Sequence, residues 1–499
     1  MKLHPLTVVL RGGGSALGAG VGGFVFGNLV GSFLPLGNAT PLGGSLYGVF
    51  MAVLFASGVF AYHVVYYRRF EYDLTDSTLD IRSGVLSRRE RDIPLGRVQN
   101  VDIKRTIVVR VLGLAAINVE TAGGGSTEAQ LRYVEYTEAK RLQEEIRRRK
   151  RRLERRDSGE PEEEEVPAEE PTMLFELDDW DLIRYSVLSF DPRVLSILFF
   201  AVPSGFPVAI PRFETASGTL IFVFTVLGAL LAGVGIWLTS ALARFVRFYG
   251  FTLHRVDDEL RYERGLLQRY DGSIPLGKIQ TLAIEENVLM RHFDLASLSI
   301  ETAGYAPGST PSGGSEAAVP LANREQLVEL ARSIEPFDDP DLTQPVPRAR
   351  RRYAIRYALV GAVVVGLGVL VDRFLIAIPW YLLFVVFLGV PVAARKKWIH
   401  RGYALPEGYV VTRNGFWRRT TRIVPDFRIQ TVIERQTVFQ RRWGLGSVIA
   451  DTAGAQRYLK GDATAYDLDG KTATTVRDRL GDRLQDAITG TDDEDSRRD

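Results

Sequence analysis

The residues best able to do chemistry are few and scattered. Histidine stands only as His4, His63, His254, His292 and His400, and no two of these have the spacing that brings a pair onto one metal ion. Cysteine is absent, which removes thiol nucleophiles, disulfides and Cys-ligated zinc or iron–sulfur centres. The chain has no Gly-x-x-x-x-Gly-Lys-Ser/Thr phosphate loop, no Gly-x-Ser-x-Gly elbow and no His-Glu-x-x-His zinc helix. No residue is therefore nominated as catalytic, metal-binding or cofactor-binding, and neither an enzyme nor a cofactor is expected. What remains are cations and amides. Arg88, Arg89, Arg91, Arg97, Lys278 and Arg428 are candidates for contact with anionic lipid or a partner, each cation near a membrane surface contributing about 1 kcal/mol. Glu90 and Asp92 interrupt that patch, and solvated charge is its ordinary reading. Gln99, Gln280 and Gln430 suit either a ligand or the satisfaction of backbone groups, the commoner task of a side-chain amide. A formal net charge of +2 exerts no general pull toward nucleic acid.

These residues recur because the chain repeats itself. Gly84, Gly265 and Gly415 are separated by 181 and then 150 residues. The same offsets bring together Pro94, Pro275 and Pro425; Gln99, Gln280 and Gln430; Arg97, Lys278 and Arg428; and Arg110, Arg291 and Arg441. They also align Glu120-Thr121-Ala122-Gly123 with Glu301-Thr302-Ala303-Gly304 and Asp451-Thr452-Ala453-Gly454. An ungapped match in triplicate is the mark of a duplicated unit. In the first copy, Thr78 to Ile81 alternates as a half-buried strand, Ser83-Gly84 is a turn, and Val85 to Arg91 returns. Pro94 marks an edge or bend, because proline donates no ladder hydrogen bond. Val98 to Ile103, Ala116 to Thr121 and Leu131 to Tyr136 read as further strands, followed by a charged helix over Glu138 to Arg155. The later copies place their helices near Arg324 to Ile334 and Thr474 to Ile488. The shared Gly, Pro and Gln residues are thus mainly structural.

The run from Ile81 to Val101, Ile-Arg-Ser-Gly-Val-Leu-Ser-Arg-Arg-Glu-Arg-Asp-Ile-Pro-Leu-Gly-Arg-Val-Gln-Asn-Val, resembles the bacterial pleckstrin-homology-like (PH-like) domain once termed domain of unknown function 304. The alternation of oily pairs with such domains is similar to its YdbS/YdbT-type membrane proteins. The resemblance implies a seven-stranded, strongly bent sheet capped by a helix in each soluble segment, and it carries no established activity. By the same analogy, a smaller membrane protein with one PH-like unit is the natural partner. The third copy departs most, with Ile423-Val424-Pro425-Asp426-Phe427 in place of the Ile-Pro-Leu element.

Six apolar stretches approach the roughly 20 residues that cross a bilayer. They run about Ala16 to Leu36, Leu46 to Tyr66, Val194 to Ile210, Leu220 to Leu242, Tyr353 to Val371 and Phe374 to Ala394, and they fall into pairs. Cations cluster outside the pairs, at Arg68-Arg69, Arg244, Arg247, Arg348 to Arg352 and Arg395-Lys396-Lys397, which by the positive-inside rule puts both termini and the soluble segments in the cytoplasm. Glycines every fourth position, Gly14, Gly18, Gly22 and then Gly23, Gly27, Gly31, suit close helix approach, with Asn28 able to bond across.

The expected architecture is an α+β protein of the plasma membrane, with six transmembrane helices in three hairpins. Each hairpin is followed by a cytoplasmic PH-like β-barrel or sandwich with a C-terminal helix. Hairpins occupy 1–67, 181–247 and 353–395, and PH-like domains 68–156, 248–336 and 396–490. Charged or polar linkers fill 157–180 and 337–352, and 491–499 is a disordered tail. The expected role is a non-enzymatic scaffold or membrane-complex component. The alternative is a part of a transport, export or antimicrobial-resistance system for peptides or lipids, against which stands the lack of mid-span charge.

Overall fold

The computed structural model describes residues 1–33, 43–121, 129–157, 171–189, 216–303, 315–338, 340–374, 380–453 and 462–495. It divides into two compact units, Met1–Glu169 with Leu267–Ser273, and Glu170–Leu266 with Ile274–Asp499.

The first unit opens with helices α1 (Thr7–Gly31) and α2 (Gly43–Arg69), which run antiparallel in close contact. Glycine makes the contact: a methyl group on Gly27 would lie 2.5 Å from the Tyr47 carbonyl oxygen, and one on Gly23 2.7 Å from that of Met51. Gly14, Gly18 and Gly22 meet nothing within 4 Å, so only one of the two expected glycine rows packs. Asn28 does not bond across; its amide donates to Phe24 of its own helix at 2.9 Å.

Strands β1 (Glu71–Leu74), β2 (Thr78–Ser83) and β3 (Arg89–Pro94) follow as an antiparallel sheet. Gly84 turns the β2–β3 hairpin at φ +117°, a conformation that a side chain would strain. Pro94 ends β3, and Leu95–Arg97 leaves the sheet as a 3-10 turn. Strand β4 (Val98–Thr106), the one-turn helix α3 (Ile107–Val111), strands β5 (Leu114–Thr121) and β6 (Ala129–Glu135) and helix α4 (Tyr136–Asp157) complete the copy. Alternation sends Leu79, Ile81, Ile93, Ile103, Ile117 and Leu131 inward, where Leu142 and Ile146 of α4 close the core.

The second and third copies repeat the plan, with Leu267–Ser273 of the second copy counted in the first unit and the rest in the second. Strand β7 (Thr172–Glu176) and helices α5 (Asp179–Leu188) and α6 (Ala216–Phe248) lead into β8 (Thr252–Val256), β9 (Glu259–Arg264), β10 (Gln268–Pro275) and β11 (Ile279–Asn287). Helix α7 (Val288–His292), strands β12 (Leu295–Thr302) and β13 (Ser315–Asn323) and helix α8 (Arg324–Ile334) end the second copy. Helices α9 (Pro347–Phe374) and α10 (Val386–Ile399) open the third, with a 3-10 segment at Trp380–Val385 between them. Strands β14 (Gly402–Ala404), β15 (Tyr409–Asn414), β16 (Arg418–Pro425) and β17 (Ile429–Arg435) follow, then α11 (Val438–Arg442), β18 (Leu445–Thr452), β19 (Ala463–Asp469) and α12 (Gly470–Asp495).

Among the described residues, the strands that follow the apolar helices of each copy number six, in two sets of three, where the resemblance implied seven. The second copy's extra strand, β7, precedes its apolar helix. Copies two and three are joined edge to edge: β11 pairs with β16, giving a six-stranded sheet ordered β13-β12-β11-β16-β15-β14. Tyr409, Val411 and Ile423 of the third copy thereby enter the core of the second.

Among the described residues, four helical stretches are long and apolar enough to cross a membrane: Thr7–Gly31, Ser45–Arg69, Leu230–Phe248 and Pro347–Phe374. The third expected stretch, 194–210, lies outside the described residues. The sixth is described as the 3-10 segment and the 14-residue α10, with Pro391 inside it.

Candidate functional site

The repeated polar residues meet at a seam in each copy. Opposite the end of β5, the register of β4 skips one residue between Val98 and Asn100; β11 does so between Ile279 and Thr281, and β17 between Ile429 and Thr431. The skipped residue is Gln99, Gln280 or Gln430. It is a β-bulge, which bends and twists the strand just after the proline turn. Facing it across the ladder are the Glu-Thr, Glu-Thr and Asp-Thr pairs of the other repeated motif. The two motifs recur because they build one joint. Gln280 is buried, and its amide lies 3.5 Å from the Lys278 carbonyl oxygen. Gln430 is exposed, because β17 has a partner on one side only.

The cations expected to act together are split. Arg88 and Arg89 stand at the hairpin turn, where β2 pairs through Ser83 with Arg89. Arg97 follows Pro94 at the other end of the strand, about 20 Å away by strand rise. Arg88, Arg89, Arg91 and Arg97 are exposed, but Glu90 is tied to Arg82. Lys278 and Arg428 are half-buried beside the corresponding proline turns, and Arg428 stacks on the Phe427 ring at 4.7 Å. No group of three or more metal-ligating side chains is found among the described residues.

The edges of the sheets are more informative. In the second unit, Arg419 Nε lies 2.6 Å from Glu286 Oε2, and Arg418 pairs with Glu285, across the β11–β16 joint. In the first unit the same register recurs: Gln268 opposes Thr106 and Asp271 opposes Ile103, matching Arg418 opposite Asn287 and Thr421 opposite Ile284. Two equivalent edges stay unpaired among the described residues, β3 in the first copy and β17 in the third.

A polar cluster unforeseen from the repeat ties the third domain to its helix. Asp467, fully buried, accepts from Tyr353 Oη at 2.5 Å, Gln440 Nε2 at 2.8 Å and Arg401 Nη1 at 3.0 Å, and pairs with Arg352 at 2.5 Å. Asp467 sits at φ +58°. Its counterpart Tyr133 has φ +64° and accepts from His4 N at 2.9 Å, just before α1. In both copies the last strand's irregular residue holds the chain entering an apolar helix. Comparison of copies misses Asp467 because its partners belong to one copy alone. Close by, burial and then the cations Arg291, Arg419, Lys396 and Arg413 push the pKa of His400 down to about 4.

A family model described as "Bacterial PH domain" matches residues 24–150, 208–337 and 357–484, three times over and across most of the chain. The chain belongs to the bacterial PH domain family. Each match takes in apolar helix as well as sheet, so the family's unit is the helix-plus-domain repeat. The transmembrane protein YdbT of Bacillus subtilis (strain 168) is 27% identical over 407 residues, covering 77% of this chain and 80% of that protein. No solved structure matches the chain. With four candidate spans and three PH domains, this is a membrane protein of that family.

Proposed function

We propose that the protein is a membrane-anchored, non-enzymatic scaffold whose PH domains, held on the cytoplasmic side, receive a further PH-like unit at the free edge of β17. The observation that carries this reading is the β11–β16 joint: a PH unit of this chain already completes its neighbour by strand addition, with two cross-strand ion pairs. Strand β17 is the equivalent of β11 and leaves Ile433 exposed. An unpaired edge is a template for a further strand.

A second copy of this chain fits the edge poorly. Carried over in the β11–β16 register, β3 would set Glu90 opposite Glu434 and Arg89 opposite Arg435, and directly opposed like charges destabilise a sheet. The reading therefore favours a different chain, of which a single-unit PH-like membrane protein is the simplest kind. The alternative, a path for peptide or lipid, lacks support of the same kind: Asn28, the span amide that could have bonded across, donates to its own helix.

The test is affinity capture of the tagged full-length chain from solubilised membranes, beside an Ile433→Lys variant, since a lysine on an edge strand blocks pairing. Capture of a PH-like chain by the parent and not by the variant is expected. Equal capture by both would remove the edge from the account.

A further inference from the structure

The soluble part of each repeat exposes a large apolar residue at two corresponding positions. The hairpin turn carries Leu86 in the first copy, Leu267 in the second and Trp417 in the third, exposed by 97%, 50% and 63%. The one-turn helices α3, α7 and α11 carry Val108, Leu289 and Phe439, exposed by 57%, 45% and 66%. An isolated exposed leucine is unremarked on any surface. The same two positions kept apolar and outward in all three copies, with the residue type varying between leucine, valine, phenylalanine and tryptophan, indicate a shared apolar environment and not a specific pocket.

Each hairpin turn is fastened to the end of an apolar helix. Arg69 Nη1, at the end of α2, donates to the Val85 carbonyl at 2.8 Å. Gly265 N and Leu266 N donate to Tyr249 and Val246, at the end of α6. The Phe416 ring lies 5.4 Å from that of His400, which follows α10. The one-turn helices sit beside the entering chain. Asn287, before α7, donates to Leu188 at the end of α5 at 2.7 Å, and Gln440 of α11 shares Asp467 with Tyr353 of α9. In the first copy, Gly113 accepts from Tyr136, close to the Tyr133 carbonyl that receives His4. Exposed cations accompany the apolar residues: Arg88 and Arg89 at the first turn, Arg110 on α3, and Arg441 and Arg442 on α11. Apolar and aromatic tips flanked by arginine, placed where a span leaves the bilayer, match the headgroup–acyl boundary.

We propose that the hairpin turns and the one-turn helices of the PH domains dip into the interface of the same bilayer that the spans cross. Leu86, Leu267, Trp417, Val108, Leu289 and Phe439 are the inserting residues. Each domain is then held at two points besides its covalent link, which fixes its orientation against the membrane. This surface is separate from the β17 edge, so either idea can fail without the other.

The natural absence of cysteine makes the test direct. Single cysteines replacing Leu86, Val108, Trp417 and Phe439, and Asp482 on α12 as an exposed reference, are spin-labelled in the full chain in nanodiscs of phosphatidylethanolamine and phosphatidylglycerol. Relaxation by oxygen and by a water-soluble nickel chelate is then compared between sites. Several-fold lower nickel accessibility at the four sites than at Asp482, with raised oxygen accessibility, is the expected result. Nickel accessibility equal to that at Asp482 overturns the proposal. So does a pattern of nickel protection without raised oxygen accessibility, which would point to a protein cover in place of lipid.

Discussion

The hydroxyl of Tyr353, on the apolar helix α9, donates to the carboxylate of Asp467, on the last strand of the third PH domain, at 2.5 Å. Arg352 and Arg401 supply the compensating charge, and Gln440 fills a further acceptor position. A carboxylate buried this completely is tolerable only because it is paired and fully bonded. Asp467→Asn keeps the side-chain shape and tolerates the positive φ, but leaves two arginines without their anion. The expected loss is roughly 3–5 kcal/mol in the third domain, read as earlier melting or as proteolysis of the C-terminal part in detergent. A variant as resistant as the parent would show that the cluster does not hold the domain to its helix.

The α1–α2 contact gives a cleaner steric test. Gly27→Val forces a methyl group into the backbone of α2, at a cost of roughly 1–3 kcal/mol. Gly22→Val, at a position that meets nothing within 4 Å, is the matched control. Melting of the purified protein should fall for the first and hold for the second.

His400 sets an acid limit for the second unit. Its folded pKa is pushed down to about 4, burial first and the surrounding cations next, while an unfolded histidine titrates near 6.5. The stability it contributes is present above about 6.5 and is lost as pH falls through the folded value. His400→Phe keeps a ring against Phe416 and removes the titration. The melting temperature of the variant should therefore decline less than that of the parent between neutral pH and pH 5.

Much of this architecture was legible because it recurs. The hairpin glycines, the proline turns and the charged helix at Tyr136–Asp157 lie where period and turn chemistry put them. The bulge at Gln99, Gln280 and Gln430 was visible only as a recurring residue. A bulge is a property of the paired register, and no local pattern reports it. The strand addition of β16 to β11 was hidden for the same reason, since pairing between copies leaves each strand's own alternation unchanged. Asp467 reads as one more acid in an alternating strand until Tyr353, remote in sequence, arrives beside it. The cations Arg88, Arg97 and Arg428 share a composition but not a place, because a strand's length lies between the turn and the proline.

The central claim, that the free edge of β17 receives another PH-like unit, is tested most directly by photo-crosslinking in native membranes. A benzophenone amino acid replaces Ile433 in the full-length chain, and the product is identified by mass spectrometry. The account expects one dominant adduct with a separate chain bearing a PH-like unit, lost when Gln430 to Arg435 carry added lysines. Adducts with lipid alone, with unrelated proteins, or with a second copy of this chain would contradict it.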